Sequence, residues 1–179
     1  MLIDSSYFTE GPRHILNATA GDSKPMQILP GTMPMDNSAA VNGMIDAYIN
    51  EFQERFLKGM LGSHTGNQAH TYLVALDEDE KQSRNETFDN VLGKLKISFA
   101  DYVFFHILRD MNTQATATGL VVLKCANEHV APIRRQVTVW NSMVERNREF
   151  AAWTATKDCP LQGISVSDNL LTKINIFNL

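Results

Sequence analysis

Between residues 36 and 61, apolar side chains recur at every third or fourth position: Val41, Ile45, Tyr48, Ile49, Phe52, Phe56, Met60 and Leu61. Asp46, Asn50, Glu51, Glu54, Arg55 and Lys58 fall largely off that stripe, so the spacing predicts an amphipathic helix. Asp36, Asn37 or Ser38 can cap its start, and Gly62 supplies its stop. A polar interval at 63–68 leads to AHTYLVAL, which fits a short helix or an irregular turn equally well. Phe88, Val91, Leu92 and Leu95 return to one helical face, with Gly93 weakening it and a bend expected near Lys96. From about residue 98 to 111, Ala100, Val103, Phe104, Ile107, Leu108 and Met111 form a stripe that Phe99, Tyr102 and Phe105 widen around nearly the whole circumference. Such a helix belongs at the centre of a fold. Pro132 suits the first position of a last helix, running to about Trp153. Ile133, Val137, Trp140, Val144 and Ala151 form its expected face, with Met143 and Phe150 beside it.

The segments between and outside these helices read differently. Residues 113–119, from Thr113 to Gly119, hold only Thr, Gln, Ala and Gly, and suggest a flexible bridge with a turn or hinge at Gly119. Residues 120–130 begin with β-branched Val121 and Val122 and suggest a β-hairpin arm or extended loop. Residues 1–35 contain Pro12, Pro25, Pro30 and Pro34 with Gly11, Gly21 and Gly31, which suits an extended arm with one short strand over 2–8. After Trp153, Pro160 and Gly163 break regular structure, and Ile174, Ile176 and Leu179 suggest a final strand. The expected fold is therefore mainly α: a small helical bundle with a projecting β-hairpin or extended loop and extended N- and C-terminal arms. The boundaries follow as 1–35 for the first arm, 36–154 for the helical domain with its loop or β-arm at 113–131, and 155–179 for the tail.

Composition narrows the function more than the fold. With 44% hydrophobic and 20% charged residues, the 179-residue chain reads as one ordinary globular domain. The net charge of −4 offers no basic footprint for a phosphate backbone. Arg134, Arg135, Arg146 and Arg148 make the last helix mildly basic against Glu145 and Glu149, and the acid run Asp77, Glu78, Asp79 and Glu80 reads as a solvated loop. Cys125 and Cys159 have no metal-like spacing and fit plain thiols in a reducing compartment. Neither a signal peptide nor a membrane span is expected, since Asp4 interrupts the start and no run nears the roughly 18 apolar residues a span needs. The chain is expected to be made in, and stay in, the cytoplasm.

Candidate chemistry is sparse. Gly21, Asp22 and Ser23 resemble the nucleophile block of small esterases, yet no Asp-x-x-His follows and the last histidine is His129. A turn is the plainer reading. His14, His64, His70, His106 and His129 include no pair at i, i+4, so no zinc site can be written, and both phosphate-loop patterns are absent. Asp46 with Glu54 could be named as paired acids only if a cleft held them together. The sequons at Asn17 and Asn85 are idle without secretion. Aromatic residues at helical spacing fit a core better than a ligand pocket, while Trp140 and Trp153 suit burial against a neighbour. No catalytic residue, cofactor or metal is expected.

Three segments carry a resemblance: IDAYINEFQERFLKGMLG, ADYVFFHILRDMNTQATATG and WNSMVERNREF. Together, over residues 37–153, they resemble the head-tail connector, or adaptor, proteins of tailed bacteriophages and prophages of gut bacteria, with a weaker echo in LIDSSYF. The resemblance implies a non-enzymatic virion protein, assembled in the host bacterial cytoplasm. Its copies would form a dodecameric ring in the neck, beneath the phage portal protein, that extends the DNA exit channel and meets adjacent neck or tail proteins. DNA would pass through without specific binding, and no membrane would be involved. Taken with the residue pattern, it marks Thr113, Gly119, Val121, Leu123, Trp153, Ile174, Ile176 and Phe177 as candidate interface residues, the bridge letting a β-arm swing out to a neighbour. The alternatives are another helical phage assembly protein, such as a tail-completion or portal-associated ring protein, and a small enzyme or ligand-binding bundle.

Overall fold

A computed structural model describes residues 1–20, 38–78, 84–111, 113–116, 119–122 and 132–177. Four helices, α1 (Ser38–Leu61), α2 (Ser63–Glu78), α3 (Glu86–Met111) and α4 (Pro132–Thr154), make the protein mainly helical. Between α3 and α4 lie two short strands, β1 (Thr113–Thr116) and β2 (Gly119–Val122). Helix α1 packs on α2 and α3, and α3 packs on α4.

The stripe expected for α1 is the one it buries, including Ile45, Ile49, Phe52, Phe56 and Met60. Gly62, at φ +81°, ends the helix in the left-handed region. Its carbonyl then accepts from the Gly66 amide at 2.8 Å, so one residue both stops α1 and opens α2. Helix α2 occupies the polar interval and AHTYLVAL as one continuous element. Its buried positions are Gly66, Ala69 and Leu73, a helical stripe made mostly of small residues. A Cβ on Gly66 would stand 2.6 Å from Lys58 Cα and 2.7 Å from the Leu57 carbonyl oxygen. The α1–α2 contact therefore uses close backbone approach where bulky apolar packing would be the usual sign of a helix.

Helix α3 runs through Gly93 and Lys96 as one unbroken helix. The Asn85 side chain caps it, Oδ1 accepting from the Thr87 amide at 3.0 Å and the Phe88 amide at 3.3 Å. Glu86 and Asp89 complement the positive end of the helix. Every residue from 98 to 107 is buried, as an apolar circumference requires. Helix α4 turns a different face inward than expected. Gln136, Val139, Met143, Val144, Asn147 and Phe150 are buried, whereas Ile133 is 40% exposed. The difference comes from Gln136 and Asn147, polar residues on the inner stripe that an apolar count discards.

Both terminal segments join the bundle. Residues 2–8 form no strand: Ser5–Phe8 is a 3₁₀ turn, with the Asp4 side chain accepting from the Ser6 amide at its start. Leu2, Ile3 and Phe8 are buried in the common core. The Leu2 amide donates to Gln53 Oε1 at 2.6 Å, and Arg135 of α4 donates to the Pro12 carbonyl at 2.9 Å. The later part of the expected arm lies outside the described residues. The C-terminal segment likewise has no strand within its described part; it holds a 3₁₀ turn at Asp168–Leu170 and packs Leu161, Ile164, Val166, Leu170 and Ile174 against the core. The Ser167 amide donates to the Gly59 carbonyl at 2.7 Å, and a Cβ on Gly59 would meet Leu170 Cδ1 at 2.6 Å. These contacts place the described parts of both expected arms against the bundle.

Candidate assembly surface

The residues marked for an interface lie in three places. Thr113, Gly119 and Val121 belong to an antiparallel ladder in which Thr113 faces Val122, Gln114 faces Val121, Ala115 faces Leu120 and Thr116 faces Gly119. Four of the seven residues of the expected flexible bridge are thus β1. Thr is β-branched and suits extended backbone, a preference that its low bulk disguised. Gly119 sits at the closed end of the ladder. Leu123, and the rest of the arm beyond Val122, lie outside the described residues.

Ile174, Ile176 and Phe177 mark the end of a strap along α4. Trp140 Nε1 donates to the Thr172 carbonyl at 2.9 Å, Asn147 Nδ2 to the Leu170 carbonyl at 2.9 Å, and Arg148 to the Leu171 carbonyl through Nε at 3.0 Å and Nη2 at 2.8 Å. The Asn141 amide bonds Ile174 twice, donating to its carbonyl at 3.0 Å and accepting from its amide at 2.9 Å. A side-chain amide here does what a neighbouring strand would do, which is why the extended tail needs no sheet. Lys173 adds a salt bridge to Glu145 at 2.7 Å. The strap runs antiparallel to α4, from Asn147 back to Asn141. It leaves Ile176 50% and Phe177 95% exposed.

Trp153 lies at the other end of α4. Its ring is half-buried, 5.7 Å from Phe150, with Lys94 Nζ 4.7 Å above it and Ile97 in the same shallow groove. Trp140 packs within the chain, 4.7 Å from Phe105 and 6.1 Å from Tyr102. Neither tryptophan is bare.

Inside the bundle, a polar seam joins the first segment, α3 and α4. Asp101 of α3 accepts from Arg13 at 2.7 Å and from Arg146, and Ser98 donates to Asn147. Burial pushes the Asp101 carboxyl up, while Arg13 and Arg146 pull it down. Tyr48 donates to Asp110 at 3.1 Å; burial and then that bond push its hydroxyl up to about 12. Three of the four arginines of α4 are structural clamps: Arg135 on Pro12, Arg146 on Asp101 and Arg148 on Leu171. Spacing alone gave no sign of these long-range partners.

The candidate chemistry is scattered. Gly21, Asp22, Ser23, Cys125 and His129 lie outside the described residues. His14 Nδ1 is 2.6 Å from the Thr9 carbonyl, His70 Nδ1 is 3.4 Å from Gln53, and His106 is buried in aromatic rings. Glu54 is taken by Lys58 at 2.6 Å, and Asn85, one of the two sequons, is the α3 cap. Cys159 is buried, its thiol donating to the Leu161 carbonyl at 3.1 Å. Among the described residues no group of three or more metal-binding side chains comes together, and no helix is long and apolar enough to cross a membrane. No protein-family profile, curated protein or solved structure matches the chain.

Proposed function

We propose that this protein is a non-enzymatic structural subunit of a phage neck, a member of a ring that joins the portal to the tail. The observation that carries this reading is the β1–β2 ladder mounted directly on α3, the most buried helix. Among the described residues the two strands pair only with each other. A two-stranded ribbon is marginal alone in water, and its outer edges offer amide and carbonyl groups to a further strand. A rigid mount with an unsaturated ribbon suits strand addition between neighbouring subunits. The resemblance of the helices and of the segment that follows α3 to connector proteins points the same way and supplies the ring, the portal partner and the virion location. The apolar tail tip at Ile176 and Phe177 adds a second contact of the same kind.

Purified chain mixed with its portal, followed by sedimentation and negative-stain imaging, tests the reading. Rings seated on the portal are the expected result. A chain that stays indifferent to the portal, at concentrations where connector rings form, contradicts it.

A further inference from the structure

We propose that His106 is an acid-sensitive lock on the contact between α1 and α3, released when its imidazole takes up a proton. The ring is 5% exposed and stacks on Phe52 of α1, with centroids 4.0 Å apart and planes at 12°. Tyr102 meets it edge-on at 4.6 Å and Phe105 at 5.4 Å. Neither ring nitrogen has a hydrogen-bond partner. A neutral imidazole can be held in such a box as a flat, mostly apolar ring. An imidazolium carries two N–H donors and a charge, and the box offers it no acceptor.

The charged and titratable groups around it are Arg55 and Tyr48 from α1 and Arg109, Asp110 and Tyr102 from α3. From α4 the nearby aromatic group is Trp140, which packs on Tyr102 and Phe105 and carries no charge. Burial first, and then Arg109, lower the His106 pKa from 6.5 to about 4, with Arg55 acting the same way and Asp110 opposing them. A depressed histidine stabilises the fold fully above pH 6.5, and that stability is lost as pH falls towards 4. His106 lies near the end of α3, which closes at Met111 just before β1 begins at Thr113. The contact that His106 locks is thus in the last turns of α3, next to the mount of the ladder. This inference stands whether or not the chain builds a ring.

The test is an NMR titration of the His106 ring proton in the full chain, assigned by its loss in His106→Gln, beside urea unfolding of both proteins from pH 7.5 to 4. Between pH 7.5 and 4 the wild-type unfolding constant should rise on the order of 100-fold more than that of His106→Gln, the ratio implied by the shifted titration over that window. A His106 that titrates near 6.5 in the folded chain, or parallel pH profiles for the two proteins, overturns the proposal. Should His106→Gln not fold, His106→Phe keeps the stack on Phe52 and removes the titration. A ring proton that titrates well below 6.5, together with pH profiles that diverge between the wild type and the variant, is the expected result.

Discussion

Residues 98–107 of α3 and residues 164–177 of the strap both lie against α4, yet opposite forces hold them. The α3 segment is bound by area: Phe99, Val103, Phe104 and Ile107 are almost wholly removed from water. The strap buries far less, chiefly Leu170, and is pinned by points: Asn141, Asn147, Arg148 and Trp140 each bond to its backbone. Burial of area needs a repeating apolar pattern and so declares itself along the chain. Point contacts need one polar side chain and any backbone group opposite it, with no period at all. The first 20 residues mix the two modes, with Leu2, Ile3 and Phe8 in the core and Arg13 on Asp101.

The contrast can be broken most severely at that mixed segment. Deleting residues 1–20 removes three buried apolar side chains, each worth about 1.5–3 kcal/mol, or roughly 5–9 kcal/mol together. That approaches the whole stability of an ordinary domain, so the deletion should abolish a cooperative urea transition. A loose arm would leave the transition in place. Next in size, Phe104→Ala should cost about 3–5 kcal/mol in the same assay, since the ring is fully enclosed. Asn147→Ala should cost about 1–3 kcal/mol, because it strands the Leu170 carbonyl and the Ser98 hydroxyl in a buried seam. Asn141→Ala should cost only about 1 kcal/mol, since its two bonds are part-buried and water can replace them. The sharper sign for Asn141→Ala is faster amide exchange at Ile174 with no change at Leu170. Equal losses from Phe104→Ala and Asn141→Ala would erase the distinction between area and point contacts.

Legibility in the sequence follows the same division. The α1 stripe and the all-round burial of α3 rest on apolar spacing, the Pro132 start of α4 on proline's fit to the first helical position, and each appears where it is expected. Helix α2 was obscure because Gly66 and Ala69 form its inner stripe, and close approach leaves no hydrophobic period. The α4 face was rotated in expectation because Asn147 and Gln136 were counted as polar and hence outward. Proline and glycine in the terminal segments argue against long helices there, which says nothing against packing. Composition suggests a flexible bridge over 113–119 and a final strand near Ile174, whereas Thr113–Thr116 is a strand and the described tail holds none. The clamps that brace α4 at Arg135, Arg146 and Arg148 could be found only once their distant partners were in place.

The assembly reading turns on whether the ladder is needed by the subunit or by its neighbour. Replacing residues 114–121 with a short Gly-Ser link tests this directly, with circular dichroism of the free chain and negative-stain imaging beside the portal. The four helices carry the buried core described above, so the account predicts an unchanged helical spectrum and urea midpoint together with the loss of rings on the portal. Complete rings formed by the replaced chain would contradict the account, for the ladder would then be an ordinary connection between α3 and α4.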